Sequence, residues 1–374
     1  MYLSHLTLNN FKNIAELSID FSPKINCFLG DNGMGKSNLL DAIHYLSFCR
    51  SFTGMTDMQL IRQGEDFTTA AARYMRRDTP EQLTLGITRG KRKCLKRGGK
   101  EYVKLSQHIG AFPAVMVAPR DIDLIQGPAE ERRRWMDMVI SQSDARYLDA
   151  LIRYNSGLEQ RNRLLRANIV DHTLYDAIEN AMEAPARYIH RTRAEWINRL
   201  QTIFTRYYSA IAGSEADNIT LRYIGALDAS ADGSLKSLLD RDRRHDEIVK
   251  YTSVGPHRDD VEMLLHSLPM RKAASQGQCK TFTVALRLAQ YDFLHQATSI
   301  KPLLLLDDIF DKLDSNRVES IMNIVTGDEF GQIFVTDTNR DHLDSIMSHT
   351  GGDYRMWTVS HGSFTPTHSH PESE

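Results

Sequence analysis

Residues 30–37 read Gly-Asp-Asn-Gly-Met-Gly-Lys-Ser. The glycines let the backbone wrap a polyphosphate with its N–H groups pointing inward. Lys36 adds a point charge for the β/γ-phosphates, and the Ser37 hydroxyl is suited to Mg²⁺. Gly30, Asp31, Asn32, Gly33, Met34, Gly35, Lys36, Ser37 and Asn38 are therefore candidate contacts for a nucleoside triphosphate such as ATP. Working outward, Ile25–Leu29 is a short β-type run, and Leu39, Leu40, Ile43 and Leu46 follow helical spacing. Strand, glycine loop and helix together bring phosphates to a helix N-terminus, where unpaired N–H groups and the helix dipole favour anions. The fold class is α/β with a P-loop.

The second half of such a site is Pro302-Leu303-Leu304-Leu305-Leu306-Asp307-Asp308. Four consecutive apolar residues predict a buried strand of a parallel sheet. Two carboxylates then emerge at its C-terminal end, where open α/β sheets bind ligands. Asp307 is the candidate metal ligand with Ser37. Asp308 is the candidate for polarising the attacking water, with Lys36 as the other catalytic residue. The two motifs are far apart, with a largely helical segment between them.

The chain has 374 residues, 41% of them apolar, and a net charge of −2. It is not a polycation, so any nucleic-acid site must come from local clusters of basic residues. The four cysteines form no C-x-x-C pair, which predicts a reduced, intracellular protein. No apolar run reaches membrane-spanning length and no export signal is evident, so a cytoplasmic location without membrane contact is expected. Short strands are predicted at 2–9, 15–21, 67–75, 83–88, 94–97 and 114–117. From about 129 to 211 the pattern is helical. Leu148, Leu151, Asn155, Leu158, Asn162, Leu165 and Ile169 form a heptad-like seam, and a second stretch carries Pro185, expected to kink or divide it. Two helices with a short connection predict an antiparallel hairpin. The expected divisions are 1–125 and 251–362 for the two parts of an ATPase head, 126–250 for a helical insertion, and 363–374 for a disordered polar tail.

A third element lies upstream of the acidic strand. Ser275-Gln276-Gly277-Gln278 precedes a helical pattern and makes a second anion-binding helix start. The order of glycine loop, helical insertion, S-x-G-Q, acidic strand and Asp314 resembles the ATP-binding-cassette ATPases of chromosome maintenance and repair, the SMC-like group. The resemblance is closer still to the bacterial recombination-mediator family RecF. It rests on residues 6–13 (Leu-Thr-Leu-Asn-Asn-Phe-Lys-Asn), 30–43, 255–260 (Gly-Pro-His-Arg-Asp-Asp), 275–278 and the P-x-x-R-R-x-x-x-D region at 128–137. It implies an ABC-type head with an inserted helical subdomain. It implies weak ATP hydrolysis, and an ATP-dependent homodimer in which Ser275, Gly277 and Gln278 of one subunit complete the site of the other. It adds Lys12 and Asn13 to the nucleotide contacts. It also implies binding to DNA at duplex or gap junctions, and assistance to loading of the recombinase RecA with RecR and RecO.

The chain departs from that pattern in places. Lys12 stands where the family usually has Arg, and Thr53-Gly54 follows Arg50-Ser51-Phe52 where a further Arg is usual. Asp308 is one carbon shorter than the Glu of SMC-type relatives. Asp311-Lys312-Leu313-Asp314 resembles the loop that crosses the dimer interface, and Asp337 and Thr336 are equally placed for a γ-phosphate switch. Lys91, Arg92, Lys93, Lys96 and Arg97, followed by Lys100 and Lys104, form a basic hairpin suited to duplex phosphates without sequence readout. The rival class is a P-loop kinase for a small molecule or nucleotide, in which 275–278 would be an ordinary helix cap.

Overall fold

The computed structural model describes residues 1–213, 217–230, 232–310, 313–340 and 354–369. The chain divides into two compact units, Met1–Asp121 with Val284–Glu374, and Ile122–Thr283. The second unit begins close to the expected boundary at 126. It continues past 250 to include the S-x-G-Q segment.

Elements are numbered along the chain. The first unit holds two six-stranded sheets. One is antiparallel: β1 (Tyr2–Phe11), β2 (Ile14–Asp20), β4 (Phe67–Arg76), β5 (Thr79–Thr88), β6 (Cys94–Arg97) and β7 (Lys100–Glu101), in the order β2-β1-β4-β5-β6-β7. The other comprises β3 (Ile25–Leu29), β8 (Ala114–Val117), β12 (Leu303–Asp307), β13 (Ile333–Asp337), β14 (Tyr354–Ser360) and β15 (Ser363–Ser369), in the order β15-β14-β3-β13-β12-β8. In this sheet β14, β3, β13, β12 and β8 are mutually parallel and β15 is antiparallel. β8, β12 and β13 are buried at every position, as parallel strands covered on both faces must be. Helix α1 (Lys36–Phe48) is buried along almost its whole length, Leu39, Leu40, Ile43 and Leu46 among its apolar residues. The one-turn α2 (Asp57–Leu60) and α10 (Ser315–Val325) also lie wholly in this unit.

Composition at 363–374 predicts a disordered tail, but Ser363–Ser369 form β15. The physical reason is an aromatic cluster. Phe28 stacks on Trp357 at 5.0 Å, and Phe364 meets Phe28 edge-on at 6.1 Å. β15 also gives β14 a hydrogen-bonding partner, and its Pro366 sits at the edge, at an irregularity in register where a missing N–H costs little.

The second unit contains α3 (Asp123–Gln126), α4 (Ala129–Ser143), α5 (Ala145–Arg166), α6 (His172–Ala212), α7 (Leu235–Val249) and α8 (Met270–Ala273). It also has the three-stranded antiparallel sheet of β9 (Ile219–Ile224), β10 (Asp260–Leu265) and β11 (Leu268–Pro269). Helix α9 (Gln276–Thr298) starts here and passes into the first unit. The α5–α6 hairpin forms as expected, but two details differ. Pro185 lies inside a single 41-residue helix and does not divide it. The buried face of α5 is Tyr147, Ala150, Tyr154, Arg161 and Leu165, rotated from the leucine–asparagine seam so that Asn155 faces out. Three of these five interior positions, Tyr147, Tyr154 and Arg161, carry polar groups with internal partners. Tyr154 Oη lies 2.6 Å from His257 Nδ1, and Arg161 pairs with Glu179 at 2.9 Å and Asp246 at 2.7 Å. A pattern of apolar residues cannot register such buried pairs.

Candidate nucleotide site

The loop 30–35 joins β3 to α1, and Gly35 takes φ +116°, a conformation that excludes side chains. No side chain caps α1 and no acidic residue occupies its first turn. Its first N–H groups are thus left to an anion, with the dipole assisting. Asp31, Asn32, Gly33, Gly35, Lys36, Ser37, Asn38 and Asp308 line one cleft. The Lys36 ammonium is buried and donates to the carbonyls of Gly30 at 2.6 Å and Asp31 at 3.2 Å, holding the loop open around it.

Because β3, β13 and β12 run parallel, their C-terminal ends meet at this cleft. The Ser37 hydroxyl donates to Asp307 Oδ1 at 2.8 Å, and the Thr336 hydroxyl donates to the same oxygen at 2.7 Å. Burial raises the Asp307 carboxyl above the ordinary carboxylate range, opposed by these two hydroxyls and by Lys36. Ser37 and Asp307 present only oxygens, the donor set Mg²⁺ takes when phosphates supply the rest. Asp308 adopts φ +45°, unusual for a residue with a side chain. Its N–H donates to the Thr336 carbonyl and hydroxyl, and its carboxylate lies 3.9 Å from Lys36 Nζ. Of the two switch candidates, Thr336 touches the acidic pair. Asp337 accepts from the Gly30 N–H through its carbonyl and from the Asn339 N–H through its side chain.

Lys12 and Asn13 behave differently from one another. Lys12 Nζ forms a buried ion pair with Asp41 at 2.5 Å and does not line the cleft. Asp41 also accepts from the Ser51 hydroxyl and the Phe52 N–H, each at 2.6 Å. Lys12 thus makes an internal tie between the β1–β2 turn, α1 and the 51–53 turn. Asn13 braces the loop from behind: it donates to the Met34 carbonyl and accepts from Asn38.

In the second unit, Ser275 is exposed and caps α9. Its Oγ accepts from the Gln278 N–H at 3.2 Å, and Gln278 Oε1 accepts from the Ser275 N–H at 2.8 Å. This reciprocal capping box fixes the Ser275 oxygen while its O–H remains able to donate outward. Gly277 lies within the first turn, and Gln278 Nε2 donates to Asp217 at 2.8 Å. Burial works to raise the Asp217 carboxyl, but hydrogen bonds from His266, Gln278 and Tyr208 outweigh it and hold it below the usual range. Asp314 N-caps α10 by accepting from the Arg317 N–H; Asp311 and Lys312 lie outside the described residues.

Two charged stretches pair part of their charge internally. Arg132 pairs with Asp260 at 2.6 Å and donates to the carbonyls of Leu124 and Gly127. Arg133 donates to the Asp259 carbonyl. Asp137 pairs with Arg193, which also binds Asp259, both at 2.7 Å, so none of the three adjacent arginines takes Asp137. The basic hairpin splits as well. Lys93 binds Tyr45, Asp57 and the Cys49 carbonyl, and Arg97 pairs with Glu81 and stacks on Phe112. Lys91, Arg92, Lys96 and Lys100 remain exposed around the β5–β6 and β6–β7 turns.

The family model described as the AAA domain matches residues 5–107. The DNA replication and repair protein RecF of Parabacteroides distasonis is 45% identical over 366 residues, covering 98% of this chain and 99% of that one. The protein of the same name from Bacteroides thetaiotaomicron is 47% identical, with 97% and 98% covered. Among solved structures, the recombination mediator protein RecF with ATP aligns at TM-score 0.88 and 27% identity, covering 98% of each chain. An Smc head bound to the C-terminal winged-helix domain of ScpA shares the fold at TM-score 0.58 and 15% identity. With like coverage at both ends of the alignment and the loop, acidic strand and S-x-G-Q helix start all in place, the chain belongs to the RecF family of DNA replication and repair proteins.

Proposed function

We propose that this chain is an ATP-binding protein of DNA replication and recombinational repair in which ATP with Mg²⁺ closes a two-fold homodimer on DNA. The observation that carries the reading is the convergence at α1: two hydroxyls on Asp307, with Lys36 and Asp308 facing each other across the same cleft. Lys36, the loop 30–38 and the uncapped helix start would hold the triphosphate. Ser37 and Asp307 would hold the metal, which stabilises the charge of the transferring phosphoryl group. Asp308 would orient or deprotonate water. One methylene fewer than Glu leaves it farther from its target, which favours slow turnover and a long-lived closed state. Exposed Ser275 would donate to the γ-phosphate held by the partner copy.

Lys91, Arg92, Lys96 and Lys100 supply a sequence-independent phosphate contact, so duplex or gap-junction DNA is the favoured substrate. Lys93 and Arg97 are left out of that surface because their charges already have partners. RecA loading together with RecO and RecR is carried by family membership and by the similarity to the RecF of the RecFOR pathway. A cytoplasmic location follows from the same membership. No described helix is long and apolar enough to cross a membrane. The kinase reading has no comparable support.

The test is sedimentation of Asp308→Asn with ATP and Mg²⁺. The expected result is a dimer that co-sediments with a gapped duplex, and a monomer when Ser275→Arg is added. A monomer mass for Asp308→Asn under all conditions would overturn the dimer switch.

A further inference from the structure

The β14–β15 connection is a two-residue hairpin, Ser360 pairing with Ser363. Its central residues, His361 and Gly362, have φ +48° and +80°, the backbone of a type I′ turn. The turn closes directly onto the phosphate loop. The Gly362 N–H donates to the Met34 carbonyl at 2.8 Å, and the His361 N–H points to Met34 Sδ at 3.4 Å. The same Met34 carbonyl accepts from Asn13 Nδ2 at 3.3 Å. Asn13 in turn accepts from Asn38 of α1 at 2.7 Å. The loop peptide preceding Gly35 and Lys36 is therefore gripped from two sides, by a strand turn from the far end of the sequence and by the β1–β2 turn.

Gly362 is the close-packed point of this grip. A Cβ there would lie 2.5 Å from the Asn13 carbonyl oxygen and 3.3 Å from Ile14 Cα, both backbone atoms that cannot rotate away. Any side chain must therefore push the turn off Asn13, and with it the donor to Met34.

We infer that the His361-Gly362 turn is a positioning element of the nucleotide site, holding the Met34 peptide so that the loop's N–H groups are preset for a triphosphate. The inference rests on the nucleotide reading of residues 30–37. A loop that is already ordered does not lose conformational freedom on binding, so releasing the grip should weaken ATP without touching a ligand contact.

The experiment compares Gly362→Ala with Gly64→Ala by equilibrium titration with a fluorescent ATP analogue and by thermal melting. Gly64 has φ +88° and open space around its Cβ position, so it carries the same backbone strain without the clash. The expected result is a somewhat lower melting temperature for Gly362→Ala, which alone loses the turn's contacts, with ATP bound roughly fivefold to tenfold more weakly only by that variant. His361→Asn keeps the turn type and both N–H donors and should bind as the wild type does. Equal ATP affinity of folded Gly362→Ala and Gly64→Ala overturns the inference. Should Gly362→Ala not fold, amide exchange on the wild-type protein decides: ATP should slow exchange at 359–363 along with 31–38, and protection confined to the loop would refute the grip. Lys36→Met separates the two levels, since undiminished ATP binding there would defeat the nucleotide reading itself.

Discussion

Two regions of this molecule bury charge, and they do it in opposite ways. In the second unit, Arg161 is fully enclosed with Glu179 and Asp246, and Lys236 and Arg243 add further donors to Glu179. Arg193 is likewise surrounded by Asp137, Asp259, Tyr147 and the Pro256 carbonyl. These charges are paired inside the unit. At the α1 cleft, by contrast, Lys36 reaches, among the described residues, backbone carbonyls and a carboxylate 3.9 Å away. Asp307 is held by two neutral hydroxyls, and its carboxyl is shifted toward the protonated form. The difference teaches that a dense cluster of charged motif residues is not in itself a site. What marks the site is buried charge whose best partner would be a ligand.

The comparison can be broken from either side. The largest effect is expected in the closed network: Arg161→Met leaves the buried Asp246 carboxylate without its guanidinium and removes one of the three cations on Glu179, and should cost about 3–5 kcal/mol of stability. Chemical denaturation would measure this, and ATP affinity measured on the folded protein should stay as in the wild type. A loss below about 1 kcal/mol would mean the network is as dispensable as a surface pair. Next, Lys36→Met should weaken ATP about tenfold to a hundredfold, the worth of charged hydrogen bonds to phosphate, while melting changes little. Calorimetric titration checks it, and a large drop in melting temperature would move Lys36 into the structural class.

The smallest effect concerns Asp307. Its folded pKa is raised, so over the window from the ordinary carboxylate value of about 3.9 up to the raised value the unfolded chain holds fewer protons than the folded one. Stability of the ligand-free protein should therefore fall as pH rises through that window and level off above it. Asp307→Asn keeps an acceptor for Ser37 and Thr336 and should flatten this fall, raising the melting temperature at neutral pH, while abolishing any stabilisation by Mg²⁺ with ATP. Melting curves across pH test it, and a variant less stable than wild type at neutral pH would show that Asp307 is a structural anion.

The glycine loop, the acidic strand and the S-x-G-Q helix start were legible because each is local: a handful of consecutive residues states both the backbone shape and the chemistry. Thr336 and Asp337 were legible only as a pair, because the contact of the Thr336 hydroxyl with Asp307 depends on β13 lying between β3 and β12. The internal ion pairs of Lys12, Lys93 and Arg97 were not legible, for the opposite reason. A basic residue looks the same in sequence whether it faces phosphate or an aspartate brought to it by the fold.

By itself the sequence determined that a triphosphate loop, a buried strand ending in two carboxylates and a helical insertion coexist, since backbone wrapping, strand burial and helical periodicity are properties of short segments. Only the tertiary structure decided which charges are spent internally and which face the cleft. It also decided that β14 ends in a turn clasping Met34. Pairing across hundreds of residues depends on sheet order and close packing, which no local pattern encodes.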